Sequence, residues 1–209
     1  MPPRLRLPST LSTASPTPQI PPPTLQWLAG PWNVTHSTLP MWKSSRNVRI
    51  TYTPVAGTTP AHIDDVVSYQ SLASDAVKTV RGVDKPFTVG SESSERDDNG
   101  GNNDMGLAGD EARASLGYNW RGKGWLMIAS SKWEILGYGD EEGGANRWVV
   151  TYFAKTLFTP AGVDFYSRNG ALKPETLESI KAGLDMLGGE IARLASEIFE
   201  VKMDSARMD

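Results

Sequence analysis

The sequence predicts an all-β fold with a C-terminal helix, in which eight antiparallel strands close into an up-and-down barrel. Eight short segments of alternating apolar and polar residues follow one another, and short connections with turn residues join most of them. An apolar stripe at helical spacing comes only after the last segment. At the front, Gly30 and Pro31 cannot continue a helix, and they bend the chain into the first strand. A β-sandwich is the alternative.

Size, charge and composition limit the function. The chain has 209 residues, a formal net charge of −3, two histidines and no cysteine. It is long enough for one domain with a full core. The charge gives no basic surface for nucleic acid, and no apolar run reaches the roughly 20 residues that span a bilayer. Without cysteine there are no disulfides, thiolate chemistry or cysteine-ligated metals. The seven tryptophans and six tyrosines suit a barrel core or the walls of a ligand site.

Residues 1–24 are rich in proline, serine and threonine, and we expect them to form a disordered leader before a barrel domain at 25–202. The leader contains the basic residues Arg4 and Arg6, and the first acidic residue of the chain is Asp64. This bias is similar to that of an organelle-targeting segment. The prolines, however, break the amphipathic helix that such a segment needs.

Strand-like segments continue after the opening bend. In the first, Trp32, Val34 and His36 share one face, and a tryptophan at that position can plug one end of a barrel. Ser130 and Ser131 mark a candidate bulge in the longest segment. The later segments are 47–54, 63–70, 77–83, 115–121, 124–137, 147–156 and 162–168.

Residues 88–114 interrupt this series with a polar, glycine-rich stretch, which predicts a long mobile loop inside the domain. The loop contains Asp97, Asp98 and Asp104, but their spacing is not that of a calcium-binding EF-hand loop. A solvated acidic loop is the simpler interpretation.

The last element is a helix at about 174–201. Pro174 suits a first helical position, and Glu175 suits the positive end of the helix dipole. Gly188 and Gly189 lie inside the stripe, where they can kink the helix. We expect the helix to pack on the outer wall of the barrel, and a homodimeric coiled coil through this helix is the alternative. The stripe consists of Leu177, Ile180, Leu184, Leu187, Ile191, Leu194 and Ile198.

Three short motifs resemble the signatures of lipocalins, the calycin barrels that hold small apolar ligands. Gly30 and Trp32 match the G-x-W opening. Residues 149–152 resemble the T-D-Y motif, without its acidic residue. Arg168 ends the last strand, where lipocalins place an arginine over the tryptophan of the first strand. The resemblance spans roughly residues 25–200. More narrowly, the chain resembles a group of fungal lipocalin-like proteins, a few of which act in natural-product pathways.

The resemblance implies roles for several of these residues. Gly30, Trp32 and Arg168 would be structural, with the guanidinium of Arg168 stacked on the Trp32 ring. Residues 38–43 take the position of the lid over the barrel mouth, where Trp42 would be an apolar contact. Secreted lipocalins usually carry a signal peptide and disulfides. This chain shows neither, which indicates a cytoplasmic location.

No motif for covalent, phosphate or dinucleotide chemistry is present, and we expect no cofactor. Two histidines without cysteine give no recognisable zinc spacing, and we expect no metal. By alternation His36 faces the interior, where it could exchange a proton near neutral pH. Together with Tyr152 it is the candidate catalytic residue, and a hydrogen-bonded core histidine is the alternative.

Aromatic and cationic residues on the strands are the candidate ligand contacts. Arg121 and Lys155 would neutralise an acidic head group, unless they point outward into solvent. One of Asp64 and Asp65 must face inward, and we expect a rim carboxylate paired with a cation. The candidate ligand-binding residues are His36, Trp42, Tyr52, Tyr69, Tyr118, Trp120, Arg121, Trp125 and Lys155.

The sequence therefore predicts a barrel that binds one small apolar or aromatic molecule, as a carrier or within a natural-product pathway. The alternative is an enzyme on the same barrel, a cofactor-free isomerase or cyclase of secondary metabolism that works by shape and a few hydrogen-bond donors. Substitutions of His36 and Tyr152 separate these two hypotheses, because only the enzyme should lose turnover. A partner module that acts through the terminal helix is a third interpretation.

Overall fold

A computed structural model of the chain describes residues 3–12, 20–89, 112–124 and 129–204. Eight strands form a closed antiparallel barrel in which each strand pairs with its neighbours in sequence and β1 pairs with both β2 and β8. The predicted up-and-down barrel is confirmed. The strands are β1 (Gly30–Ser37), β2 (Ser45–Pro54), β3 (Ile63–Ser71), β4 (Val77–Phe87), β5 (Gly117–Gly122), β6 (Ser130–Asp140), β7 (Arg147–Phe153) and β8 (Gly162–Ser167).

The first strand changes partners along its length. Residues 30–33 pair with β2, and residues 33–37 pair with β8. A short strand, β9 (Phe199–Glu200), pairs with His36 and Ser37. Strand β9, which follows the helices, therefore pairs with the end of β1 that β2 does not reach.

The two ends of the barrel differ. At one end a short helix, α1 (Leu25–Leu28), leads into β1 and is capped by Thr24, whose hydroxyl accepts a hydrogen bond from the backbone of Trp27. At the other end a 3₁₀ helix, Pro40–Ser44, connects β1 to β2. We call the first the closed end and the second the mouth.

The C-terminal helix is broken rather than continuous, because Gly188 (φ 72°) and Gly189 (φ 56°) adopt the left-handed backbone region between its halves. The prediction of a single helix over 174–201 is wrong in this respect. The two helices are α2 (Pro174–Met186) and α3 (Gly189–Ser196), and the chain ends in β9 instead of in a helix.

The apolar stripe of these helices is buried against the barrel of the same chain. Ile180, Leu184 and Ile191 are fully buried in one cluster with outward side chains of β6, β7 and β8. The outer-wall packing is confirmed. The stripe that would form the seam of the coiled-coil alternative therefore packs on the barrel of the same chain.

The N-terminal residues are part of the fold where the structure describes them, which corrects the prediction of a disordered leader over 1–24. Leu5 is buried between the barrel and α2, close to Gly137 and Gly183. The Arg6 guanidinium donates a hydrogen bond to the Glu134 carboxylate at 2.7 Å, and both side chains are buried. Composition alone missed these specific contacts. Residues 13–19 lie outside the described part.

Two further sequence expectations need qualification. Most of the predicted loop over 88–114 lies outside the described residues, and β4 extends to Phe87 before it. The longest predicted strand begins at Ser130 instead of residue 124, and its irregularity falls between Ile135 and Gly137 instead of at Ser130 and Ser131.

Candidate functional site

The closed end of the barrel is sealed by Trp32 and Arg168. The Trp32 side chain is fully buried, and its indole donates a hydrogen bond to the Leu28 carbonyl at 2.7 Å. The Arg168 guanidinium lies 3.6 Å from the centre of the Trp32 ring, as predicted. It also donates hydrogen bonds to the carbonyl oxygens of Trp27, Ala29 and Pro31. Burial and the nearby Arg147 lower the pKa of Arg168 to about 10, so it remains protonated at neutral pH.

Aromatic side chains fill the interior above this floor. Trp133 is 2% exposed and stacks between two tyrosines, with ring centres 5.6 Å from Tyr52 and 4.8 Å from Tyr118. All three face inward from strands β6, β2 and β5. The stack joins opposite sides of the barrel and gives the interior a rigid aromatic centre.

Tyr52, which belongs to this stack, forms a polar cluster with Asp65, Asp84 and Tyr166, which we call the inner acid cluster. The Trp133 indole donates a hydrogen bond to Asp84 Oδ1 at 2.8 Å. The buried atoms Asp65 Oδ1 and Asp84 Oδ2 have no hydrogen-bond partner among the described residues. Buried polar atoms are normally paired, so this concentration in one place is unusual.

Burial controls the protonation of this cluster. Burial, and then the charge of Asp64, raise the pKa of Asp65 to about 7. Burial, and then the charge of Asp65, raise the pKa of Asp84 well above its usual range, although the hydrogen bond from Trp133 opposes the shift. The pKa of each tyrosine hydroxyl, Tyr52 and Tyr166, is also raised, mainly by burial. At least one carboxyl of the pair is therefore protonated near neutral pH.

A third buried carboxyl lies nearer the mouth and holds the connection between β1 and β2. Asp164 accepts hydrogen bonds from the Ser37 hydroxyl and, at 3.3 Å, from the Trp42 indole. Burial raises the pKa of Asp164 to about 7, against these two hydrogen bonds, which lower it. Trp42 also meets Tyr69 edge to face, with ring centres 5.6 Å apart. The lid residue of the sequence prediction is thus fixed to the barrel interior.

Inward side chains near the mouth are only partly buried, in contrast to those below. We call this region the upper interior; its apolar members are Val67, Tyr69, Trp120 and Phe153. The Trp120 ring lies against strand β4 at Gly82, where a Cβ would fall 2.1 Å from the indole nitrogen. A glycine is therefore required for this position of the ring. The upper interior is therefore lined by aromatic side chains that are only partly buried.

The loops around the mouth expose large apolar side chains. Leu157 and Phe158, in the connection between β7 and β8, are each 90% exposed. Met41 and Leu72, on the β1–β2 and β3–β4 connections, and Val77, at the start of β4, are about half exposed. In an up-and-down barrel these connections all lie at the same end.

His36 is not inside the barrel, which corrects the sequence prediction. A register shift between Val34 and His36 turns its ring outward, 6.0 Å from the ring of Phe165. Phe165 belongs to the cluster under the helices. Burial lowers the pKa of His36, although the nearby Glu200 opposes this.

Other candidates also lie outside the interior. Tyr152 is buried in the cluster under the helices, so it cannot act on an interior ligand. Arg121 and Lys155 are exposed to solvent, in agreement with the outward alternative. Trp125 lies outside the described residues. Inside the barrel the structure brings together Trp42, Tyr52, Tyr69, Tyr118 and Trp120.

The carboxylates were the main omission from the sequence prediction. Asp65 is the inward member of its pair, but no cation of the described residues pairs with it; Asp64 carries the ion pair instead, with Lys123. Asp84 and Asp164 were not selected at all. Strand alternation could have indicated both residues. Asp84 lies two residues from the inward position of Gly82 on β4, and Asp164 lies two residues from the inward position of Tyr166 on β8.

Other kinds of site find no support in the described residues. No group of three or more histidine, aspartate and glutamate side chains is arranged to hold a metal ion there. None of the helices in this part of the chain has the length and apolar character that a membrane crossing requires. Two surface cavities, of about 320 and 310 Å³, lie beside Phe87 at the closed end and beside Trp42 outside the lid.

Comparisons with known proteins support the fold. No protein-family profile and no curated protein sequence matches the chain. Among solved structures, H1 crustacyanin from the lobster Homarus americanus is similar over 98% of this chain and 90% of its own, with a TM-score of 0.54 and 11% identity. The siderocalin Ex-FABP, whose structure is described as having dual ligand specificities, matches 87% of this chain and 95% of its own, with a TM-score of 0.48 and 10% identity. These identities are low, and the likeness to crustacyanin is one of fold.

Proposed function

We propose that this chain, which has the lipocalin-like fold of a calycin barrel, binds one small apolar or aromatic molecule that reaches the interior through the mouth. The observation that carries the proposal is the upper interior, where Tyr69, Trp120 and Phe153 are partly exposed on inward faces. Large aromatic surfaces that face inward and remain accessible suit an apolar guest.

The surroundings of the mouth favour the same function. The lid places Trp42 against Tyr69, so a guest would meet aromatic rings on two sides. The exposed Leu157 and Phe158 add apolar surface at the rim. Contiguous apolar surface at an opening is typical of ligand-binding grooves.

Calorimetric titration with 3-methylindole, a neutral aromatic probe, tests this proposal. We expect Trp120→Ala to weaken binding by about tenfold, because a buried aromatic contact supplies roughly 1–2 kcal/mol. Arg121→Ala is the matched control, since Arg121 is the next residue of β5 and is exposed to solvent. No binding to the unchanged protein, or equal losses in both variants, would contradict the proposal.

A second candidate function is a cofactor-free isomerase or cyclase of secondary metabolism. Three buried carboxyls favour it, because Asp65, Asp84 and Asp164 have raised pKa values and can donate a proton to a bound carbonyl near neutral pH. The genes that flank the one encoding this chain can be expressed in a heterologous host with and without it. A cyclised product that requires the chain, and that Asp84→Asn abolishes, would support catalysis. Unchanged products would favour a carrier.

A further inference from the structure

The buried part of the barrel interior carries acids but lacks basic partners for them. Asp65, Asp84 and Asp164 are each at least nine-tenths buried. The buried cations in the part of the chain that the structure describes are Arg6 and Arg46. Both pair with carboxylates outside the barrel, at Glu134 and at Asp75 and Asp204. Among the described residues, neither buried cation therefore pairs with the interior acids.

Aromatic rings surround the same acids. Trp133 donates its indole hydrogen to Asp84, and it lies between the rings of Tyr52 and Tyr118. Tyr52 comes directly opposite Asp65 in the pairing of β2 with β3. A carboxylate flanked by aromatic rings is favourable surroundings for a cation, since rings attract positive charge to their faces. An anion at this place would meet two carboxyls and no compensating charge.

We propose that the inner acid cluster binds the protonated amine of a small aromatic ligand. This inference rests on the proposed function, and it names the polar group of the guest. The ammonium donates hydrogen bonds to the unpaired atoms Asp65 Oδ1 and Asp84 Oδ2, and its aromatic body extends toward the upper interior past Trp120. The cation also replaces the missing positive partner of the acid pair, which favours ionised carboxylates.

The alternative guest, an acid neutralised by Arg121 and Lys155, fits the structure poorly. Both cations are exposed, and Arg121 pairs with Val83 on the outward face of β5 and β4. An acidic head group would therefore have to enter an interior that already contains three buried carboxyls.

Three probes with one aromatic body separate the possibilities: tryptamine, 3-methylindole and indole-3-acetate, titrated calorimetrically at pH 7.5, above the pKa of about 7 of Asp65. We expect tryptamine to bind at least about tenfold more tightly than 3-methylindole, and indole-3-acetate to bind most weakly. Asp65→Asn and Asp84→Asn should each weaken tryptamine by about tenfold or more, and change 3-methylindole by about twofold at most.

Asp64→Asn is the matched control, because Asp64 precedes Asp65 but faces outward and pairs with Lys123. Thermal melting by circular dichroism verifies the fold of each variant, and the two asparagine variants inside the barrel serve as independent tests. If 3-methylindole binds as tightly as tryptamine, or if both inner variants retain tryptamine, the amine site is wrong and the proposed binding function stands. If none of the three probes binds, both proposals are overturned.

Discussion

The buried carboxyls give the protein a pH-dependent stability. The folded-state pKa values of Asp65 and Asp164 lie at about 7, above the usual value of 3.8. Between these values the folded chain binds more protons than the unfolded chain, so its free energy of unfolding falls as the pH rises. This stabilisation is complete below the unfolded value and is lost as the pH passes about 7. The groups that face Asp65 and Asp84 are Tyr52, Tyr118, Trp133 and Tyr166, with Asp64 behind Asp65.

We predict that Asp65→Asn raises the free energy of unfolding by about 2 kcal/mol at pH 8, because it removes a buried group that must ionise there. The variant should also show a smaller fall in stability between pH 4 and 7 (about half of the parent slope). Urea unfolding at a series of pH values measures both effects. Asp64→Asn should keep the parent slope, and equal slopes for all three proteins would show that Asp65 does not titrate in this range.

Sequence reasoning found the floor residues but misplaced the titratable ones. The contact between Trp32 and Arg168 was predictable because the G-x-W bend and the strand-terminal arginine resemble lipocalin motifs. The side of the wall on which His36 lies depends on one irregularity in β1, which the sequence does not mark. Tyr152 was misplaced because β7 is apolar on both faces, so alternation does not distinguish interior from helix contact.

At the scale of elements, the N-terminal segment contributes to the barrel wall. Its backbone pairs with β6 through a hydrogen bond from the Arg6 amide to the Leu136 carbonyl at 2.9 Å. Glu134 also accepts hydrogen bonds from the Ser9 amide and hydroxyl. Composition predicted disorder here because prolines dominate the average. The segment is held against the barrel by Leu5, Arg6 and Ser9. An average composition does not take the positions of single residues into account.

We predict that Arg6→Ala lowers the free energy of unfolding by about 3–5 kcal/mol, because it leaves the buried Glu134 carboxylate without its cation. Arg4→Ala is the matched control, since Arg4 is exposed in the same segment and should change stability by about 0.5 kcal/mol at most. Chemical denaturation measures both values. A loss as small in Arg6→Ala as in Arg4→Ala would mean that the segment does not hold the barrel in solution.

At the scale of the whole molecule, the barrel and its helices bury each other's apolar surfaces. The broken helix covers the outward apolar residues of β6, β7 and β8, and β9 completes the sheet beside β1. The strand count and the outer-wall helix were predictable, because period-two and helical patterns extend over many residues. The break at Gly188 was predictable only as a kink, because a positive φ depends on where the second half must dock.

We predict that the chain sediments as a monomer, because its helical stripe is already buried. Analytical ultracentrifugation over a concentration series measures this. Any weak association should come from the exposed Leu157 and Phe158, and the double variant Leu157→Ser/Phe158→Ser should abolish it. A stable dimer that persists in this variant would contradict the prediction.

Because of its position, the fluorescence of Trp133 can report on the state of the inner acid cluster. Its indole is shielded from water, donates to Asp84 and lies within energy-transfer range of two tyrosines. Emission excited through those phenols should therefore carry a blue-shifted component from this one indole. Ionisation of Asp84, or a guest that touches it, would alter that component without any added dye.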